Sequence, residues 1–220
     1  MVSQYNTIST KDISCIYDMY DNVYPIARII KQYDRISLDK IQNLLNDANK
    51  RVMPITWTAI SQNFTSGTLY SICYGDGKFV AVSDSGEIGY STDGITWTAI
   101  SQDFTTYTIY SVCYGDGKFM AVGHNGRMGY STDGINWTAI SQDFTPSSTS
   151  HIQSICYGNG KFVAGDGNGN IAYSADGINW TAIPQKFTPT SINTICYGNG
   201  KFVAVGYKNK MAYSQTGLAL

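Results

Sequence analysis

The stretch Tyr90-Ser91-Thr92-Asp93-Gly94-Ile95-Thr96-Trp97, YSTDGITW, decides the fold because it returns. It recurs as YSTDGINW at 130–137 and YSADGINW at 173–180, and a fourth copy opens at Tyr213 as YSQTG and ends without its Trp. Around it lies a longer unit, ITWTAISQ-F-loop-YSICYGDGKFVAV-turn-GYSTDG. Trp57, Trp97, Trp137 and Trp180 recur at intervals of 40, 40 and 43 residues, and Cys73, Cys113, Cys156 and Cys196 keep step. Tandem self-similarity at this period is the mark of an array of supersecondary units.

Each unit reads as four short strands. In the first, strand a is Tyr70–Tyr74, strand b Lys78–Val82, strand c Ile88–Ser91 and strand d Thr96–Ile100. Asp-Gly or Asn-Gly between apolar runs predicts a tight hairpin, because a type I′ turn needs positive φ at both central residues. Asp76 and Asp116 in two a–b turns exchange with Asn159 and Asn199 in the others. Asp and Asn share turn geometry and not charge, so these positions serve the turn. Four antiparallel strands in about 40 residues is the size of a β-propeller blade.

The strand count then predicts closure. Residues 55–220 start with a lone strand d at Thr56–Ile60, run a-b-c-d three times, and finish with a-b-c ending at Ser214. Pairing the first d with the last c gives an all-β, four-bladed propeller with no free sheet edge. The fourth box is then split, with Ser214 and Gly217 at one end and Trp57 at the other. Thr216 stands where Asp is expected. Two open four-blade arcs joined into an eight-bladed ring are the alternative.

Ser91-Asp93-Gly94-Trp97, Ser131-Asp133-Gly134-Trp137 and Ser174-Asp176-Gly177-Trp180 resemble the Asp-box of sialidase-like propellers, with a spacing one residue shorter. The resemblance implies a brace at the c–d corner: the carboxylate accepts backbone N–H groups, Gly supplies an unusual φ, and Trp packs on its blade. Uninterrupted near-identical units behind a short N-terminal segment also resemble accessory tail-fibre or baseplate proteins of phages and phage-tail-like particles. That implies a structural, non-enzymatic protein made in the bacterial cytoplasm and carried in a virion or particle.

Residues 1–54 carry none of the repeat. Ile13, Ile16, Tyr17 and Tyr20, and again Ile41, Leu44, Leu45 and Ala48, recur at helical spacing. Two amphipathic helices are expected, Pro25 ending the first and Ser37 capping the second. The unit is too small to bury much surface alone. It is either a cap on the ring or a docking segment for other particle proteins.

The formal net charge is -1 with 14% charged residues, so no single-sign field points to nucleic acid or a membrane surface. The first residues, MVSQYNTIST, show neither the charged nor the apolar region of a signal peptide, and no run reaches membrane-spanning length. The cysteines form no CxxC pair, and packing is expected for the four at the repeat position, with no metal or cofactor. Sialidases clamp a carboxylate with three arginines, whereas the blades hold Arg127 alone and a single Glu, Glu87. Asp93, Asp133 and Asp176 belong to turns, and His124 and His151 lie on different blades with no partner evident from spacing. A glycan hydrolase is the weakest reading.

Strand order puts the a–b and c–d turns on one face of the ring and the b–c turns and d–a loops on the other. The first face is nearly constant between units. The second varies: DSGE (84–87), HNGR (124–127), GNGN (167–170) and YKNK (207–210) at the b–c turns, with d–a loops as different. Variation on one face suits a binding surface for a host glycan or protein, the alternative being relaxed constraint in exposed loops. The expected contacts are Tyr107, His124, Arg127, His151, Asp166, Asn168, Tyr207 and Lys208. A free carbohydrate-binding lectin is the alternative to a particle component.

Overall fold

The computed structural model describes residues 55–65, 67–100, 105–141, 150–184 and 191–214. The helices expected within residues 1–54, and Thr216 and Gly217, lie outside the described residues. Among the described residues no helix is long and apolar enough to cross a membrane.

Four antiparallel sheets follow one another as propeller blades. Blade 1 holds β1 (Leu69–Gly75), β2 (Lys78–Ser83), β3 (Ile88–Ser91) and β4 (Thr98–Ile100). Blade 2 holds β5 (Ile109–Gly115), β6 (Lys118–Gly123), β7 (Met128–Ser131) and β8 (Thr138–Ile140). Blade 3 holds β9 (Ile152–Gly158), β10 (Lys161–Asp166), β11 (Ile171–Ser174) and β12 (Thr181–Ile183). Blade 4 holds β13 (Ile192–Gly198), β14 (Lys201–Gly206) and β15 (Lys210–Tyr213), and no fourth strand among the described residues. The a–b turns carry positive φ at both central residues, as at Asp76 (φ 45°) and Gly77 (φ 71°), which is the expected type I′ geometry.

The corner between strands c and d is a closed hydrogen-bond unit. Ser131 Oγ donates to Asp133 Oδ1 at 2.9 Å and accepts from Gly134 N at 2.9 Å. The same Oδ1 accepts from Ile135 N at 2.8 Å and Asn136 N at 2.7 Å. The corners at Asp93 and Asp176 repeat this arrangement. The corner consumes the residues up to Trp97, so strand d starts at Thr98 and not at Thr96 as expected. Trp137 and Trp180 are not confined to their own blades. Each joins a core cluster drawn from its blade and the preceding one, Trp137 against Val80 and Val82, Trp180 against Met120 and Val122.

Blades pack through β1, β5, β9 and β13 in succession. Three devices recur at each junction. A strand-a Ser hydroxyl accepts the next blade's backbone N–H: Ser71 from Val112 (3.2 Å), Ser111 from Ile155 (3.3 Å) and Ser154 from Ile195 (2.9 Å). The glycine ending strand a seats the next blade's tyrosine ring, Gly75 under Tyr114, Gly115 under Tyr157 and Gly158 under Tyr197. Val112, Ile155 and Ile195 are buried against the blade before them. Phe119 and Phe162, each wholly buried, complete these cores.

Thr56–Ile60, expected as a strand d, form no strand, and Trp57 is 94% exposed; among the described residues β15 pairs with β14. In blades 1 to 3 strand d is tied to strand c by the covalent corner and its aspartate, and the first ITWTAI copy has neither. Ser214 Oγ accepts Phe202 N at 2.9 Å.

Candidate functional site

The b–c turns and d–a loops meet because each turn is bonded to the start of its own blade's strand a. His124 N donates to Thr108 O at 2.9 Å, and Gly167 N donates to His151 O at 2.9 Å. In blade 2 the turn His124–Gly126 is a 3-10 turn with Asn125 at φ 54°. Asn125 N then donates to His151 Nδ1 of the next blade at 3.2 Å. Histidines that spacing left without partners are thereby brought together.

Their rings stack at 4.1 Å between centroids, and Tyr107 stacks on His124 at 5.0 Å. On the other side Tyr110 lies 6.0 Å from His151, and Tyr70 meets Tyr110 edge-on at 5.5 Å. The result is a run of five rings, Tyr107–His124–His151–Tyr110–Tyr70, contributed by blades 1 to 3. Tyr107 and Tyr70 are half exposed, at 54% and 51%. Partial burial, and then the neighbouring His124 charge, push the His151 imidazole below its ordinary pKa.

Sequence reading missed Tyr70 and Tyr110. Each is the bulged residue of its strand a, sitting where the register shifts between Leu69 and Ser71 and between Ile109 and Ser111. A bulge re-aims one side chain out of the alternating pattern. Gln153 and Asn193 occupy the same bulged position in blades 3 and 4. The signal was present: this position reads Tyr, Tyr, Gln, Asn within otherwise constant strands.

The other expected contacts are dispersed. Arg127 and Asn168 are exposed on their turns. Tyr207 is 60% exposed with the Lys208 ammonium 5.6 Å from its ring centre, a local cation–π pair on blade 4. Asp166 is a correction. It is wholly buried, and its carboxylate accepts Asn168 N (2.9 Å), Asn170 N (2.7 Å) and Asn170 Nδ2 (2.7 Å). It builds the b–c turn of blade 3 and is closed to a ligand.

The corner carboxylates are also engaged. Donation by Thr96 N, then Ile95 N and the Ser91 hydroxyl, lowers the Asp93 pKa to about 2, and the Asn136 and Asn179 amides act likewise on Asp133 and Asp176. A carboxylate held this firmly ionised does not act as a general acid near neutral pH. Cys73, Cys113 and Cys156 pack at the blade junctions, and burial pushes the Cys73 and Cys156 thiols up to about 12. No group of three or more His, Cys, Asp or Glu suited to a metal ion occurs among the described residues.

Fold and surface together define a β-propeller-like repeat protein with a ring-lined patch on its variable face. No family model matches the chain, and no curated protein matches it. Among solved structures it is similar to the computationally designed Ika4 protein, at 12% identity and TM-score 0.55, over 74% of this chain and 100% of that one. It is similar to YCF48 bound to D1 peptide, at 21% identity and TM-score 0.57, over 70% of this chain and 54% of that one. It also resembles YCF48 from Cyanidioschyzon merolae, at 21% identity and TM-score 0.53, over 66% of this chain and 51% of that one. The chain spans about half the length of the two YCF48 chains.

Proposed function

We propose that the protein is a non-enzymatic structural and binding component of a phage tail or phage-tail-like particle, and that its variable face takes a host-surface glycan. The observation that carries the binding reading is the five-ring run Tyr107–His124–His151–Tyr110–Tyr70. Flat rings offer faces for the C–H surfaces of a sugar. The amides of Gln153 and Asn193, at the equivalent bulges, offer paired donors and acceptors for hydroxyls. The particle setting rests on the near-identical tandem units and on the resemblance they carry. The Ser-x-Asp-Gly-x-x-Trp corners support kinship with Asp-box propellers in architecture; the arginine clamp of sialidases has no counterpart in the blades' sequence.

A glycan array probed with the intact chain tests the reading. Defined sugar hits are expected, with Tyr107→Ala and Tyr110→Ala each weakening binding by about tenfold, the loss of one well-placed aromatic contact. Absence of any hit defeats the glycan assignment. The likeness to YCF48 bound to D1 peptide favours a peptide as the second reading, and displacement of binding by peptides and not by sugars would select it.

A further inference from the structure

The two ends of the blade array carry the two halves of a junction that the chain makes three times and then leaves open. At the trailing end, Gly198 stands where Gly75, Gly115 and Gly158 each seat a tyrosine, yet a Cβ there meets nothing within 4 Å. Thr194, where Ser71, Ser111 and Ser154 accept an N–H, is exposed, as is Cys196. Val203, Met211, Ala212 and Tyr213 line an apolar hollow of about 420 Å³, on the face where Val80 and Ile88 are buried in blade 1.

At the leading end strand β1 is bare, although Ala81 and Phe64 of the same blade are buried, at 3% and 5% exposure. Tyr74 is 59% exposed and Ile72 58%, while Val112, Ile155 and Ile195 at the position of Ile72 are 4–5% exposed. The Tyr74 ring is already set: it rests on Phe79 at 4.7 Å, as Tyr114 rests on Phe119 and Tyr157 on Phe162 at the same distance. Closure within one chain would seat Tyr74 over Gly198. Instead both are open, and β1 is not packed on β13 as β5 is on β1.

We propose that the partner of these faces is a second copy of this chain, joined head to tail so that Tyr74 and Ile72 of each copy dock on Gly198, Thr194 and the Val203–Met211 hollow of the other. A heterologous contact of this kind closes into a ring when its rotation allows. Two copies supply eight blades and two such contacts, which leaves neither half unmatched. In chain order the ITWTAI copy at 55–60 precedes β1 as that at 95–100 precedes β5.

Light scattering of the full chain tests this. The expected mass is twice 24.1 kDa. Gly198→Trp, which fills the socket where a side chain has open space, and Tyr74→Ala, which removes the ring, should each give a single-chain mass with an unchanged circular dichroism spectrum. Peptide-level thiol labelling adds a site-specific readout: Cys196 is protected in the wild type and labelled in Gly198→Trp. A single-chain mass for the wild type would mean the faces are covered from within the chain and would overturn the proposal. A mass rising with concentration beyond two copies would mean an open run and not a ring. An unchanged mass in both variants, or free labelling of Cys196 in a two-copy wild type, would put the contact on another face.

Discussion

Blades 2 and 1 present nearly the same strand a, IYSVCYG and LYSICYG, in opposite surroundings. In β5, Val112 is 4% exposed and Gly115 is covered by Tyr157; in β1, Ile72 is 58% exposed and the Tyr74 ring has no glycine beneath it. The chemistry of the strand is therefore not what buries it. Burial comes from having a neighbour on that side, and the difference isolates what one blade contributes to the next.

The largest test of that difference is Ile155→Ala against Ile72→Ala. Truncating Ile155 in its core should cost about 2–5 kcal/mol in denaturant unfolding. Ile72→Ala, measured on a Gly198→Trp background, should stay within about 0.5 kcal/mol as an exposed substitution does. Equal losses would show that the leading face is already covered. Next is the glycine socket. Gly115→Val drives a Cβ to within 2.0 Å of the Tyr157 ring, and about 1–3 kcal/mol of overpacking is expected, whereas Gly198→Val on a Tyr74→Ala background should leave the unfolding midpoint where it was. Then comes the junction hydrogen bond: Ser154→Ala orphans the Ile195 N–H it accepts at 2.9 Å and should cost about 1 kcal/mol, a loss that Thr194→Ala on the same Tyr74→Ala background should not show.

The smallest expected effect lies in acid. Asp93, Asp133 and Asp176 have folded pKa values depressed by the amides they accept, Asp93 to about 2 from an ordinary 3.8. A carboxyl whose pKa is lowered by folding stabilises above its unfolded value, and that contribution is lost as pH falls through the folded one. Thermal midpoints should thus decline between about pH 4 and pH 2, and the Asp→Asn variant at all three corners should flatten that decline. An unchanged slope would remove the corners from the acid response.

The strands, hairpins and corners were legible in the sequence because their causes are local. Asp76-Gly77 specifies a turn by the φ its two residues tolerate, and Asp133 reaches amides two and three positions away. The candidate site was half legible. Tyr107, His124 and His151 were marked by variation in their loops, but their stacking depends on two blades standing side by side. Asp166 was misread, since a variable charged turn residue and a buried turn acceptor look alike in sequence. Tyr70 and Tyr110 escaped because a bulge, not strand alternation, sets their direction.

By itself the sequence determined the blade: its four-strand order, its type I′ turns and its Asp-braced corner, all arising from residues a few positions apart. Only the tertiary structure decided where the array stops. The rotation from one blade to the next is the net result of Tyr rings on Gly backbones, Ser hydroxyls on distant amides and Val against Ile across a junction. No stretch of sequence contains that angle, and its accumulation over the four blades is what leaves Tyr74 and Gly198 apart.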